Sequence, residues 1–161
     1  MPHSVRILLI TVLLVALQTT LIPFLSVANI IPDILLIWVV YTALQSGQIP
    51  ATVLGFAAGL FVDLLSGQFL GLSALSKTIV GFAAGYFFND NKVNFTIARY
   101  QFLVIVALMS FVHNVIYFAI FVQGTDIGFV TAMLRFGLFA TIYTTAVALL
   151  PWFVFTRKFS V

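Results

Sequence analysis

Long apolar runs separated by short polar breaks make up almost the whole chain, and the breaks are marked by Gly, Pro, Asn and Ser. In the first run, Ile7 to Leu25, the interruptions are Thr11, Gln18, Thr19, Thr20 and Pro23. It is longer than the apolar segment of a secretory leader and more runs follow, so Ser26-Val27-Ala28 reads as a loop after a retained span rather than as a cleavage site. At Asn29-Ile30-Ile31-Pro32-Asp33, a proline with fixed φ stands beside an acid that suits the positive end of a helix, which marks the start of the second run. Ser46-Gly47-Gln48-Ile49-Pro50 then connects it tightly to the third. Ser66-Gly67-Gln68-Phe69-Leu70-Gly71 breaks that one. The fourth ends at Asn89-Asp90-Asn91-Lys92-Val93-Asn94, the longest polar run, which with Arg99 and Tyr100 predicts a solvent-facing loop. The fifth stops at the turn Gln123-Gly124-Thr125-Asp126, and the sixth runs to Thr156-Arg157-Lys158.

These runs lie near the roughly 17–25 residues needed to cross a hydrocarbon core. The pattern therefore predicts an all-α polytopic membrane protein with six transmembrane helices, over about 7–25, 32–46, 50–65, 70–88, 101–122 and 129–155, in a single transmembrane domain spanning 1–161. The second and third are slightly short for a full crossing, and a re-entrant hairpin is the other arrangement they allow.

Composition sharpens this. The 161 residues are 63% hydrophobic and carry 7 Lys or Arg against 4 acids, all of them Asp, which is far too little charge for a soluble domain. The net charge of +3 does not point to nucleic acid, because the basic residues sit singly beside apolar runs, as loop anchors at a membrane do. With both termini cytoplasmic, Arg6, Lys92, Arg99, Arg157 and Lys158 all fall on the inner side, whereas the outer loops carry Asp33 and Asp126. Tyr86, Tyr100 and Trp152 then lie near the inner interface, where amphipathic rings are favoured. The expected location is a membrane that the chain crosses several times.

Candidate chemistry is sparse. Absence of Cys removes thiolate catalysis and Cys-based metal sites, and the two histidines, His3 and His113, sit on distant elements, so neither a metal site nor a cofactor is expected. Ser110 precedes His113 without the base and oxyanion geometry that nucleophilic catalysis requires, and no catalytic residue is expected. Four ionisable residues fall inside spans: Asp63, Lys77, Arg135 and His113. The first three occupy the outer half, where pairing would offset the cost of charge in hydrocarbon, and the cluster reads as a polar staple between helices or as a polar pocket. His113, beside Asn114, reads as an interhelical hydrogen-bonding residue. Spacing of four puts Gly55, Gly59 and Asp63 on one helical face, and Gly81 and Gly85 form a second smooth face. Both predict close helix packing, within the chain, with a partner, or with a second copy.

Pro32-Asp33-Ile34-Leu35-Leu36, then Gly55-Phe56-Ala57-Ala58-Gly59-Leu60-Phe61-Val62-Asp63-Leu64-Leu65-Ser66-Gly67, Gly71-Leu72-Ser73-Ala74-Leu75 and Gly81-Phe82-Ala83-Ala84-Gly85, resemble the rod shape-determining protein MreD family. The distinctive part runs from Pro32 to Tyr86; the remainder matches in hydropathy. The resemblance implies a non-enzymatic inner-membrane scaffold of the elongation (rod-shape) machinery that contacts MreC through a transmembrane helix. Through it, the resemblance implies indirect association with MreB, RodA and RodA's transpeptidase partner in peptidoglycan synthesis. It also implies a topology similar to the substrate-binding subunits of energy-coupling-factor vitamin transporters, which is the alternative function. Those subunits dock through an Ala-x-x-x-Ala face in the first helix. Here Ala16 has no second Ala at that spacing.

Overall fold

The structure is a computed structural model that describes residues 3–67, 69–123 and 126–159; Gln68, Gly124 and Thr125, on which parts of two expected breaks fall, lie outside the described residues. Its described residues are helical and turn segments: α1 (His3–Thr20), α2 (Ile34–Ser46), α3 (Gln48–Ser66), α4 (Leu72–Ala84), α5 (Val93–Ala98), α6 (Tyr100–Phe121), α7 (Phe129–Ala132) and α8 (Leu138–Phe159). A π turn, Met133–Gly137, joins the last two, and in it the Leu138 N–H donates to the Met133 carbonyl five residues back. Among the described residues, three stretches are long and apolar enough to cross a membrane: Gln48–Ser66, Tyr100–Phe121 and Phe129–Val154. Val5–Thr20 and Ile34–Ser46 are shorter apolar helices.

The boundaries follow local chemistry. Asp33 caps α2 by accepting from the Leu36 N–H at 2.9 Å, and Gly47 (φ +86°) ends it in a conformation that a side chain would strain. With 13 residues, α2 spans only roughly 20 Å at about 1.5 Å per residue. It is nevertheless the core. Leu35, Leu36, Val39, Val40 and Ala43 are wholly buried, and α1, α3, α4, α5, α6 and α8 all pack against α2.

The expected loop after the fourth span is more ordered than its polarity suggests. Asp90–Lys92 forms a 3-10 turn and α5 follows, with Ile97 buried against the core and the Trp152 indole N–H donating to the Arg99 carbonyl at 3.2 Å. Its apolar residues, interleaved with the polar ones, give that segment a face to bury.

The most extensive helix pair is α3 with α4. A Cβ on Gly59 would lie 2.5 Å from the Ala74 Cα, and one on Gly81 would lie 2.5 Å from the Ala51 carbonyl oxygen. Gly55 faces the Lys77 carbonyl and Gly85 faces Gln48 in the same way. None of the four positions has room for a side chain, so these glycines bring the two backbones into contact, which is how apolar helices gain dispersion energy without a hydrophobic drive between them.

Candidate functional site

At one end of the bundle, where α1, α3 and α6 finish and where α2, α4 and α8 begin, a cavity of about 420 Å³ opens. Its lining mixes polar groups with an aromatic wall. Gln18 from α1, Asp33 from α2, Asp63 from α3, Lys77 from α4, His113 from α6 and Thr144 from α8 all border it.

The charged centre is Asp33. One carboxylate oxygen caps α2, and the other accepts from the Lys77 ammonium and lies 3.7 Å from the His113 Nε2. Lys77 is 3% exposed, so the ion pair holds a buried ammonium that hydrocarbon would otherwise reject. Three further bonds hold the Asp33 backbone in place. The Thr144 hydroxyl accepts from the Asp33 N–H at 3.1 Å, while the Gln18 amide donates to the Pro32 carbonyl at 3.1 Å and accepts from the Ile34 N–H at 3.0 Å. The loop before α2 is pinned to α8 as well, by the Tyr143 hydroxyl donating to the Leu25 carbonyl at 2.8 Å.

Asp63 has a different task from pairing with Lys77. It is 1% exposed, and its carboxylate accepts from the backbone N–H groups of Gly71 (3.0 Å), Ser73 (3.0 Å) and Ala74 (3.2 Å). Those amides are the unpaired donors at the start of α4, and the positive end of the helix dipole adds to the attraction. Asp63 therefore locks the end of α3 onto the beginning of α4, at the outer limit of the glycine-lined contact.

Arg135 stands apart. It is exposed, on the π turn, and no carboxylate pairs with it among the described residues. The expected association of Asp63, Lys77 and Arg135 is thus corrected: Lys77 and His113 converge on Asp33, Asp63 serves a helix start in the same cavity, and Arg135 points away from both. Position along the helices puts Asp63, Lys77 and Arg135 in the same half of the bundle, but rotation about each axis separates them. Gly55, Gly59, Gly81 and Gly85 lie behind the cavity, facing one another's helices, and a partner helix would reach these four only if α3 and α4 parted.

Asn114 closes the far side, where its Nδ2 donates to the Gly137 carbonyl at 3.1 Å and to the Thr141 hydroxyl at 3.0 Å. This ties α6 to the π turn. The aromatic wall follows on α6, with His113 stacked on Tyr117 (centroids 5.9 Å apart) and Tyr117 on Phe121 (5.7 Å), while Phe118 stacks on Phe136 at 6.4 Å. From the sequence, Asp33 is legible only as a helix start and a loop charge. Its pairing with Lys77, 44 residues away, has no spacing signal, and Gln18 and Thr144 are equally silent in sequence because their partners are backbone groups.

No three His, Asp or Glu side chains lie close enough to hold a metal among the described residues. No curated protein and no solved structure matched the chain. The family model described as rod shape-determining protein MreD matches residues 3–159. With apolar helices of membrane-crossing length and a match that runs over nearly all of its 161 residues, the chain belongs to the MreD family of rod shape-determining proteins.

Proposed function

We propose that this protein is a non-enzymatic scaffold of the bacterial inner membrane, with six spans in one transmembrane domain and both termini cytoplasmic. It holds MreC through a transmembrane helix contact and so helps to position MreB, RodA and RodA's transpeptidase partner during lateral wall synthesis. Family membership supports the rod-shape role, and one structural observation supports the mode of action. Outward faces of the helices carry large apolar side chains, such as Leu8, Leu9, Val12 and Leu13 on α1 and Leu150, Phe153 and Val154 on α8. A protein with that surface and short connections acts on partners mainly from the side, through helix contacts within the bilayer. The glycine face and Asp63 enter this reading by fixing the shape of the α3–α4 unit that a partner meets.

The test is co-purification from native expression levels after mild detergent extraction, with tagged wild-type protein. MreC is expected in the eluate. A monodisperse, folded protein that never retains MreC overturns the scaffold reading, and the same preparation reports whether two copies associate.

A further inference from the structure

The cavity contains more hydrogen-bonding capacity than the chain uses. An ammonium has three donors, and Lys77 gives one, to Asp33. The His113 Nδ1 is buried without a hydrogen bond, and the side chains of Ser110 and Asn114 stand beside it in the lining. Buried polar groups left in this state are costly, so a lining that offers both donors and acceptors is matched by a ligand that does the same. A hydroxyl combines both functions on a single atom.

Charge narrows the choice. Lys77 is neutralised by Asp33, and the Asp63 carboxylate is committed to three amides at the start of α4, so no surplus positive charge faces the cavity. A phosphate or carboxylate ligand would find no free cation. Shape narrows it further. The polar groups come from α2, α4 and the middle turns of α6, where Ser110, His113 and Asn114 lie, whereas Tyr117 and Phe121 follow one and two turns later on α6, so the site has a hydrogen-bonding end and an apolar aromatic end. Its 420 Å³ falls within the roughly 300–1,000 Å³ typical of small-molecule sites.

We propose that this cavity binds an uncharged, hydroxyl-rich ring, a sugar, presented either free or as the headgroup of a glycolipid. The hydroxyls meet Lys77, Ser110 and Asn114, and the apolar side of the ring lies along the aromatic wall of Tyr117, Phe118 and Phe121. The inference is independent of partner binding, since MreC retention and sugar binding are separate readouts.

The test uses full-length protein in phosphatidylcholine nanodiscs, prepared without sugar-based detergents, and measures ligand retention by native mass spectrometry and affinity by thermal-shift titration. The probes are N-acetylglucosamine for the free sugar and monoglucosyl diacylglycerol for the headgroup, with inorganic phosphate and phosphatidylglycerol as anionic controls. Saturable binding of either sugar probe, without competition from the controls, is the expected result, and which probe binds identifies the source. Ser110→Leu, which fills the cavity, should raise Kd at least about tenfold, or about 1.4 kcal/mol. Ser110→Ala removes the hydroxyl without adding bulk and should raise it several-fold, which keeps the test valid if the leucine variant does not fold. Four results overturn the proposal: no binding of either probe, equal binding of the anionic controls, an affinity unchanged in both Ser110 variants, or a retained vitamin that neither sugar displaces.

Discussion

Removing either member of the Asp33–Lys77 pair should cost far more than removing both. In Asp33→Asn the amide keeps the cap on Leu36 but strands the Lys77 ammonium, whose side chain is 4% exposed. Breaking a buried pair in this way costs about 3–5 kcal/mol. In Lys77→Met the stranded carboxylate is 19% exposed and still accepts from Leu36, so the loss should fall at or below the lower end of that range. The double variant Asp33→Asn/Lys77→Met leaves no charge behind, and replacing a buried pair by neutral groups of similar volume is close to neutral. A coupling free energy of at least about 2 kcal/mol is therefore expected. For a chain of this length each kcal/mol moves Tm by about 2–4 °C, so the double variant should melt well above the sum of the single losses. Thermal unfolding of the four proteins in one detergent, followed by size-exclusion fluorescence, reads this directly. Additive single effects, or a Lys77→Met loss larger than that of Asp33→Asn, would refute the assignment of Asp33 as the partner.

Two other results follow from the packing and the topology. Gly59→Ala should lower Tm, although alanine is favoured over glycine in a helix by about 1 kcal/mol, because the new methyl lies 2.5 Å from the Ala74 Cα and overpacking against backbone costs about 1–3 kcal/mol or more. Gly128→Ala, where no atom lies within 4 Å, is the control, and a Gly59→Ala protein more stable than wild type would sink the close-contact account. Because the chain has no cysteine, single-cysteine variants report sidedness without background. Leu25→Cys and Ile127→Cys should react with a membrane-impermeant maleimide on intact spheroplasts and Arg99→Cys only after lysis; the reverse pattern would rule out the proposed orientation.

What could be read from the chain was position along each helix, and what could not was rotation about it. Apolar run lengths located the helices to within a few residues, and Pro32-Asp33 marked the start of α2 through proline geometry and capping. Spacing also showed that Gly55, Gly59, Gly81 and Gly85 share smooth faces, but not that these meet each other rather than a partner. The same limit explains the acids. Asp33 and Asp63 stand at the same end of the bundle, and either level suits Lys77, yet only Asp33 turns toward it, because the Asp63 carboxylate is taken up by the amides that begin α4. Arg135, expected in the same half as Asp63 and Lys77, is exposed. Azimuth is decided by long-range packing, and a polytopic chain whose lipid-facing and core-facing surfaces are equally apolar carries little amphipathic signal to reveal it.

The π turn before α8 settles the azimuth of everything that follows. Each residue advances an α-helix by about 100°, so accommodating one extra residue in a wide turn rotates the downstream segment by about that angle relative to an unbroken helix. In phase terms, Met133–Gly137 works like a slipped gear tooth: it lets Arg135 face out while Thr144 still arrives under the Asp33 N–H and Tyr143 still reaches the Leu25 carbonyl. Asn114, clamped on the Gly137 carbonyl, holds the slip in place. One residue deleted there would leave the length and hydropathy of the last span almost unaltered and turn its whole C-terminal portion to the wrong hour of the dial.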